Sequence, residues 1–450
     1  MITKTSMLLS VVAASLIAVA PTSANEFGAF TQIAITGETA PGSGGTFQSF
    51  GLPNLGMFVA QDSNGVSGVY AGGGAPVEVI ADTTMAAPTG GNYSGFSSPI
   101  AGGLGIAFIA TTTTNTQLVM GGDPIGGNFG VIAKTGDSPA LGETFGSFQQ
   151  IALGGVFPWG EITSNIGLYA IDGNPDVEIS DTPTANFATV PVGAAGAFTS
   201  FGTVSTVSPG PGNHITPGYQ MEAIAIHGTA GGVEGIYYTG SGGDFTAPWT
   251  TLADTATPSI QHFTGFGDPV VTENNITFTA SYSTATGTKQ GIFAYGPYFY
   301  YNPPIGGIAL NQIEAAGDVA PDSGGGHFVD FLAVTGGESM NDDIFTATLD
   351  NGEEGLYVYT WGWVDANGVL TVPGTTQCIL DTTDTLDGKS IADIELSPQG
   401  GAWEEDPTFK VDFTDGSQGI YSFEAGVPEP NLLLVPFIAA MHITMRRRKR

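Results

Sequence analysis

The stretch AITGETAPGSGGTFQSF, residues 34–50, contains the pattern that decides the fold of this chain. An apolar segment leads into a turn rich in Gly and Pro, and two phenylalanines three residues apart, Phe47 and Phe50, follow the turn. This order is typical of two β-strands joined by a tight loop, because Gly and Pro supply turn conformations and aromatic residues favour strands. The pattern recurs along the chain, so it predicts a repeat architecture.

The repeat begins with a short strand of apolar residues and Ala. It occurs seven times, centred on Ile33, Ile80, Ile132, Ile179, Leu252, Ile313 and Ile379. Each copy precedes a turn, a pair of large apolar residues three apart, an alternating strand such as MFVAQD, and a strand led by Gly such as Gly419-Ile420-Tyr421, for which Gln117-Leu118-Val119 stands in the second unit. Units of about four short strands each predict an all-β, seven-bladed β-propeller. Another multi-sheet β-repeat and a β-sandwich are the alternatives.

Two features favour the propeller over a sandwich. Residues three apart on a regular strand point to opposite faces, so the paired aromatic residues require burial on both faces of a sheet, which stacked blades provide. The repeats also begin on the apolar-Ala strand and end on the strand led by Gly, so each apolar-Ala strand can be the outer strand of the preceding blade. Residues 31–37 are therefore predicted to pair with the strand at 419–423 and to close the ring without a free edge.

The charge of the chain excludes one large class of function. The sequence has 42 acidic and 10 basic residues, and residues 25–426 contain four lysines and no arginine. Such scattered lysines cannot neutralise a run of phosphates, which excludes a nucleic-acid-binding protein. The sole cysteine, Cys378, excludes an intrachain disulfide and indicates a buried thiol.

Residues 1–24 have the organisation of a secretory signal peptide. Lys4 precedes an apolar run from Met7 to Ala20, and small residues at Thr22 and Ala24 follow it. This sequence of a charged, an apolar and a small-residue segment predicts cleavage after Ala24 and export of the domain at residues 25–426.

Residues 427–450 combine a Pro-Glu-Pro motif, an apolar segment and a basic end. The apolar segment, Asn431 to Met445, has 15 residues, fewer than the about 20 that a stable transmembrane helix needs. It therefore predicts transient inner-membrane anchoring, with the arginines on the cytoplasmic side. The residues that define the motif are Val427, Pro428, Glu429, Pro430, Arg446, Arg447 and Arg448.

These three parts, in this order, resemble the PEP-CTERM sorting signal of Gram-negative bacteria. The resemblance implies recognition by an exosortase-type peptidase, removal of the tail and delivery to the cell surface or the exopolysaccharide matrix. An uncleaved tail anchor is the alternative. The repeats also resemble tandem-repeat extracellular proteins with interchangeable C-terminal anchors, a resemblance that implies a location and no chemistry.

Motifs for catalysis are absent from the sequence. The chain has no His-Glu-x-x-His zinc helix, no Gly-x-Ser-x-Gly elbow and no phosphate-binding glycine loop. A Ser-His-Asp arrangement formed in space stays open, because triads assemble from distant residues. The pattern favours a protein without enzymatic activity and without a dedicated cofactor.

Two groups of residues are candidates for ligand contacts. Asp381, Asp384 and Asp387 recur at every third position and predict a calcium site, since Ca²⁺ prefers oxygen ligands; ordinary hairpin turns are the alternative. Tyr300, Trp361 and Trp363 lie in aromatic insertions and predict contacts with a glycan, since sugar rings stack on exposed aromatic rings. Aromatic packing over a blade edge is the alternative.

The sequence as a whole predicts a secreted, exosortase-sorted surface or matrix protein that is not catalytic and has a binding or structural role. Exopolysaccharide is the predicted ligand. The alternatives are a secreted propeller hydrolase or lyase that acts on polysaccharide in the central channel, and a calcium-dependent adhesin.

Overall fold

The computed structural model describes most of the domain between the two terminal segments. The described residues are 30–73, 76–102, 105–123, 128–138, 143–153, 160–164, 167–171, 192, 196–207, 222–241, 249–257, 262–271, 275–295, 310–336, 342–361, 363–364, 370–372, 374–397 and 407–423. The regular structure of this part consists of β-strands. None of its residues forms a helix with the length and hydrophobicity that a membrane crossing requires.

The strands form consecutive antiparallel sheets, numbered here along the chain. Sheet 1 contains β2 (Phe47–Phe50), β3 (Met57–Asp62), β4 (Ser67–Ala71) and β5 (Glu78–Asp82). Sheet 2 contains β6 (Tyr93–Phe96), β7 (Ile100–Gly102), β8 (Gly105–Thr112), β9 (Gln117–Asp123) and β10 (Asn128–Lys134). Sheet 3 contains β11 (Phe148–Leu153), β12 (Gly160–Ser164) and β13 (Gly167–Ile171). Sheet 4 contains β14 (Phe198–Val207), β15 (Glu222–Ala230), β16 (Val233–Ser241) and β17 (Thr250–Asp254).

The second half of the chain continues the series. Sheet 5 contains β18 (His262–Phe266), β19 (Val270–Val271), β20 (Ile276–Thr284), β21 (Gly287–Tyr295) and β22 (Leu310–Ala315). Sheet 6 contains β23 (Phe328–Gly336), β24 (Asp342–Leu349), β25 (Glu354–Thr360) and β28 (Thr375–Asp381), with the two-stranded ribbon β26 (Trp363–Val364) and β27 (Leu370–Val372) inserted before β28. Sheet 7 contains β29 (Thr385–Leu386), β30 (Lys389–Leu396), β31 (Thr408–Phe413), β32 (Gln418–Phe423) and the N-terminal strand β1 (Phe30–Ile35).

The sheets have the arrangement of a β-propeller. Six of them, all except sheet 3, contain four or five strands, and each is an antiparallel meander that runs outward from its first long strand. First strands of consecutive sheets contact each other, as β11 does with β14 and β23 with β30. The first strands therefore lie nearest the axis of the ring, and the fourth strands lie on its perimeter. Sheet 3 has three strands within the described residues.

The predicted closure of the ring is confirmed. Strand β1 pairs antiparallel with β32, from Phe30 opposite Phe423 to Ile35 opposite Gly419. Sheet 7 thus takes strands from both ends of the domain. An N-terminal strand in this position covers the edge that β32 would otherwise expose.

The paired apolar residues of each first strand lie on one face, which corrects the sequence argument. In six of the pairs a β-bulge follows the first member, so the second member returns to the same side of the sheet. The register shifts lie at Phe47/Ser49, Tyr93/Gly95, Phe198/Ser200, Phe263/Gly265, Phe328/Asp330 and Ile391/Asp393. As a result the rings of Phe47 and Phe50 contact each other with centroids 5.2 Å apart.

The fourth strands carry a second repeated bulge. The register in each skips the central residue of the apolar-Ala strand, at Ile33, Ile80, Ile132, Leu252, Ile313 and Ile379. These are the central residues of the apolar-Ala copies that define the sequence repeat. The repeated sequence feature therefore corresponds to a bulge within a strand. The copy at Ile179 lies outside the described residues.

The core consists of hydrophobic clusters between consecutive sheets. Phe47, Phe50 and Tyr70 of sheet 1 pack on Ala34 and Ile420 of sheet 7. The aromatic face of each sheet in this way meets the preceding sheet, while its other face meets the next one. Sheets 6 and 7 share the largest such cluster, which includes Leu356, Phe409 and Tyr421.

The Gly that leads most third strands lies where a side chain would collide with the ring two residues later or with the fourth strand. A Cβ atom on Gly419 would lie 2.5 Å from the Tyr421 ring, and one on Gly235 would lie 2.5 Å from the backbone oxygen of Ala253 in the fourth strand. Real side-chain carbons do not approach this closely, which explains why the sequence has Gly at these positions.

Candidate functional site

The first strands present polar side chains on their exposed positions. Between the buried members of each pair lie Gln48 and Ser49 in sheet 1, Thr199 and Ser200 in sheet 4, and Asp330 in sheet 6. Because these strands lie nearest the axis, their exposed residues line the centre of the ring. The inner surface is therefore rich in hydroxyl, amide and carboxyl groups.

A repeated hydrogen bond joins four of the first strands to the preceding sheet in the described part. The backbone N–H of the second paired residue donates to a side chain at the start of the third strand of the preceding sheet, an arrangement called here the inter-sheet latch. The accepting residue precedes the leading Gly, or Leu118 in sheet 2. In the described part, the latches run from Phe50 to Gln418 at 3.0 Å, from Phe148 to Gln117 at 2.8 Å, from Phe331 to Gln290 at 2.6 Å, and from Ile394 to Glu354 at 3.3 Å. Three latches use a glutamine, and the one between sheets 6 and 7 uses a glutamate.

The glutamate latch forms a carboxyl pair. Burial and a hydrogen bond to the Asp393 carboxyl raise the pKa of Glu354 to about 8. Two adjacent carboxylates repel each other, so the pair holds one proton between them at neutral pH. A protonated Glu354 can accept the hydrogen bond from Ile394 and donate its own proton to Asp393, which makes it equivalent to a glutamine.

Asp393 also belongs to an acidic cluster on the inner part of sheet 7. Carboxyl oxygens of Asp393, Glu395 and Asp412 lie within 4.8 Å of one another, close enough to share one cation. The Lys410 side chain, 10% exposed, already places its ammonium 2.6 Å from Glu395 and 3.5 Å from Asp412. Burial alone would lower the pKa of Lys410, but the two carboxylates raise it above its usual value. The lysine thus serves as the cation of this cluster.

Trp361, one of the predicted glycan contacts, is half-buried and hydrogen-bonded. Its indole Nε1–H donates to Oδ2 of Asp343 at 2.7 Å, and its ring meets Tyr359 edge to face at 5.3 Å. Asp343 also contacts Thr277 and Asn275 of sheet 5. The indole nitrogen is therefore directed into the junction between sheets 5 and 6. The Trp363 backbone belongs to β26, and its side chain and Tyr300 lie outside the described residues.

The three aspartates of the predicted calcium site engage separate partners. Asp381 accepts from the backbone N–H and hydroxyl of Thr383, and Asp384 accepts from the backbone N–H of Asp381. Asp387 accepts from the Tyr421 hydroxyl at 2.9 Å and forms, with Gly388, a two-residue hairpin turn with positive φ at both positions. Calcium binding by these residues stays a prediction. Within the described part, the carboxylates that could share an ion are those of the sheet 7 cluster.

The sorting motif lies outside the described residues, at Val427 to Pro430 and Arg446 to Arg448.

Two histidines form pairs with acids on hairpins, His327 with Asp350 and His227 with Glu234, each at 3.0 Å. Cys378 has a pKa raised to about 12, chiefly by burial, so its thiol is protonated and a poor nucleophile at neutral pH.

Sequence reasoning missed the residues that interact most closely. Glu354 and Asp393 are 39 positions apart, and Asp343 meets Thr277 across 66 positions. One signal was present: the residue before the leading Gly is Gln or Glu in GlnGlyIle, GlnGlyIle and GluGlyLeu at 290–292, 418–420 and 354–356. That regularity marks the inter-sheet latch.

Comparison with known proteins finds similarity to solved structures alone. No family model and no curated protein matches the chain. A solved structure described as the Dos1 propeller is similar over 87% of this chain and 95% of its own, with 10% identity and a TM-score of 0.40. Sqt1 of Saccharomyces cerevisiae is similar over 88% of this chain and 98% of its own, with 7% identity and a TM-score of 0.36. The propeller assignment rests on the strand pairing described above.

Proposed function

We propose that this protein is exported and sorted to the cell surface or the exopolysaccharide matrix, where its propeller has a non-catalytic binding or structural role. Exosortase-type processing of residues 427–450 would release the propeller from its transient anchor. A propeller is compatible with such a role, although a fold by itself does not specify a function.

The observation that carries this proposal is the pairing of the two ends of the domain. Phe30 lies opposite Phe423 in sheet 7. The predicted signal peptide ends six residues before Phe30, and the sorting motif begins four residues after Phe423. Removal of both segments would therefore take away none of the strands that close the ring, as expected of a protein trimmed at both ends.

We also propose that the propeller has seven blades, with sheet 3 as the third. Sheet 3 packs on both neighbours: Phe148 and Ile151 share a cluster with Ile109 of sheet 2, and Ala152 shares one with Ile224 of sheet 4. Its sequence unit contains the copy VEISDTP at 177–183, which supplies a candidate for the fourth strand. An experimental structure with other than seven radial sheets would overturn this count.

A polysaccharide hydrolase or lyase is the second candidate, and a carboxyl pair such as Glu354 and Asp393 is the feature that it would require. Glycosidases use two carboxyl groups, one protonated, separated by about 5 to 9.5 Å so that the sugar or a water fits between them. The pair here is joined by a hydrogen bond, so no substrate atom fits between its members. This geometry favours the binding or structural role.

Two experiments test the proposed function. The full chain, with an epitope tag inserted after Ala24, is expressed in a host with and without an exosortase. We expect a surface or matrix protein that has lost its tail in the first host and a membrane-retained, full-length protein in the second. Glu429→Ala together with Pro430→Ala should give the second result in both hosts. Processing that is the same in both hosts would contradict the proposal.

A glycan array with parallel measurement of new reducing ends separates the two candidates. Binding without turnover supports the leading proposal. New reducing ends that disappear in Asp393→Asn would replace it with the hydrolase.

A further inference from the structure

Asp343 is a carboxyl group with no exposed surface, at the junction of sheets 5 and 6. It lies near the start of β24, where Tyr359 of β25 is its strand neighbour. Its oxygens contact three side chains: Thr277 Oγ1 at 2.9 Å, Trp361 Nε1 at 2.7 Å and Asn275 Nδ2 at 3.3 Å. Thr277 and Asn275 lie on the side of sheet 5, and Trp361 follows β25 of sheet 6. The carboxyl group therefore connects the two sheets.

The number of hydrogens at this junction determines the protonation state that fits. Thr277 Oγ1 lies 2.9 Å from Asp343 Oδ1 and 3.1 Å from Asn275 Oδ1. A hydroxyl group has one hydrogen, so it can donate to only one of these two oxygens. If Asp343 is a carboxylate, one of the two contacts lacks a hydrogen.

A proton on Asp343 Oδ1 supplies the missing hydrogen. Asp343 then donates to Thr277, and Thr277 donates to Asn275. On the other side, the Trp361 indole is a donor only, so Oδ2 must be the accepting oxygen. The tryptophan therefore determines which oxygen carries the proton, and every contact of the group is satisfied when the acid is neutral.

The surrounding charges favour the same state. Asp342, on the same strand, adds a negative charge, and the hydroxyl of Tyr359 is the other titratable group that faces Asp343. Among the described residues, no lysine or histidine forms an ion pair with Asp343. Burial raises the pKa of Asp343 to about 7, although the hydrogen bonds from Trp361 and Thr277 lower it in part. An uncompensated buried carboxylate is costly, so the neutral acid is the better fit.

We propose that Asp343 is a proton-dependent lock between sheets 5 and 6, closed while the acid is neutral and weakened when it ionises as pH rises to neutrality. In the closed state it holds Thr277 and Asn275 to Trp361. Ionisation places a negative charge in the junction, next to Asp342, and removes the hydrogen that links Asp343 to Thr277. The contacts between sheets 5 and 6 therefore depend on pH.

The direction of the pH effect follows from the two states. The pKa of Asp343 is about 7 in the folded protein and 3.8 in its unperturbed state. A group with a raised folded pKa contributes stability that is complete below its unfolded pKa and is lost as pH rises to the folded value. We therefore expect the contribution of Asp343 to fall between pH 4 and pH 7 and to change little above that range.

The test compares Asp343→Asn with the unmodified full chain. Asparagine has the shape of the neutral acid: its oxygen can accept from Trp361, and its amide can donate to Thr277. We expect the urea midpoint of the unmodified protein to fall between pH 5.5 and pH 8.5, and that of Asp343→Asn to fall clearly less and to be the higher of the two at pH 8.5. Asp330→Asn, an exposed carboxyl group on the same sheet, is the matched control and should leave the pH dependence unchanged.

Two further measurements keep the proposal falsifiable. Glu354→Gln removes a second raised carboxyl pKa, so the effect of Asp343→Asn must persist in that background. In the unmodified protein labelled with ¹³C at the aspartate carboxyl carbon, one signal should titrate near pH 7. Equal pH dependence of Asp343→Asn and the unmodified protein, or the absence of an aspartate signal that titrates above pH 6, would overturn the proposal.

Discussion

The backbone N–H of Phe50 donates a 3.0 Å hydrogen bond to Oε1 of Gln418, a residue 368 positions later. This bond joins the first sheet of the domain to the last. The bulge that frees the N–H also brings Phe50 next to Phe47, so one irregularity serves both the inter-sheet hydrogen bond and the aromatic packing. The same combination recurs at other junctions, which makes the latch the repeated element of inter-sheet contact.

The glutamate latch predicts a pH effect at the junction of sheets 6 and 7. The pKa of Glu354 is about 8, raised first by burial and then by Asp393, against 4.5 unperturbed. Its contribution to stability is complete below pH 4.5 and is lost as pH rises to about 8. Glu354→Gln should therefore raise the melting temperature at pH 8.5 and change it little at pH 5.

The converse substitution is the control. Gln290 holds the equivalent latch to Phe331, so Gln290→Glu should make the fall in melting temperature with rising pH steeper than in the unmodified protein. Differential scanning calorimetry at both pH values measures both variants. Identical pH profiles for Glu354→Gln and the unmodified protein would show that the carboxyl pair ionises normally.

The close packing around the leading Gly235 predicts that a larger residue at this position destabilises the protein. A Cβ there would lie 2.5 Å from the backbone oxygen of Ala253, which cannot move without breaking the pairing of β16 with β17. We expect Gly235→Ala to lower the free energy of unfolding by about 1 to 3 kcal/mol, as overpacking of a core does. Gly265→Ala, with no atom within 4 Å of its new Cβ, should stay within about 0.5 kcal/mol of the unmodified protein. Urea unfolding measures both.

Because β1 closes the ring, we expect a charged substitution at its buried residue Ala34 to lower the stability of the protein. This residue has no exposed surface and packs with Phe47, Phe58 and Ile420. Ala34→Asp would bury a carboxylate without a partner, and we expect a loss of about 3 kcal/mol or more. Thr31→Asp, on an exposed position of the same strand, should be close to neutral. Size-exclusion chromatography would also detect association of the edge of β32 if β1 detaches. Equal stability of the two variants would argue against closure by β1.

The position of the Lys410 ammonium predicts that calcium can replace this cation in the sheet 7 cluster. Lys410→Met leaves Asp393, Glu395 and Asp412 without their positive charge, and we expect a loss of about 2 to 3 kcal/mol, below the range for fully buried pairs because Glu395 is 39% exposed. Millimolar calcium should recover part of that loss, since three carboxylates suit a hard cation.

The unmodified protein is the reference for that experiment, since its lysine already fills the cluster. Its melting temperature should be the same in millimolar calcium and in excess chelator. A calcium-dependent rise would support the adhesin alternative, and Asp384→Asn would then show whether the aspartates at 381–387 are responsible.

The sequence predicted the order and type of the strands well, and the reason is local. Alternating apolar residues, turn-forming Gly and Pro, and the Gly that leads each third strand act over a few residues, so strands such as β3 at Met57–Asp62 coincide with the predicted segment. The pairing of residues 31–37 with 419–423 also followed from the repeat, because an incomplete last unit needs the first strand. The expectation of burial on opposite faces was wrong, because it assumed a regular strand where Phe47 and Phe50 are separated by a bulge.

The sequence by itself determined the repeat and the acidic charge, and it predicted a signal peptide and a sorting motif at the two ends, since each depends on residue types at close spacing. Only the tertiary structure decided which carboxyl groups are perturbed. Glu354 meets Asp393, and Asp343 meets Trp361 and Thr277, because consecutive sheets pack face to face and exclude water at those points. A pKa depends on burial and on neighbours brought together from distant parts of the chain, and the local sequence determines neither.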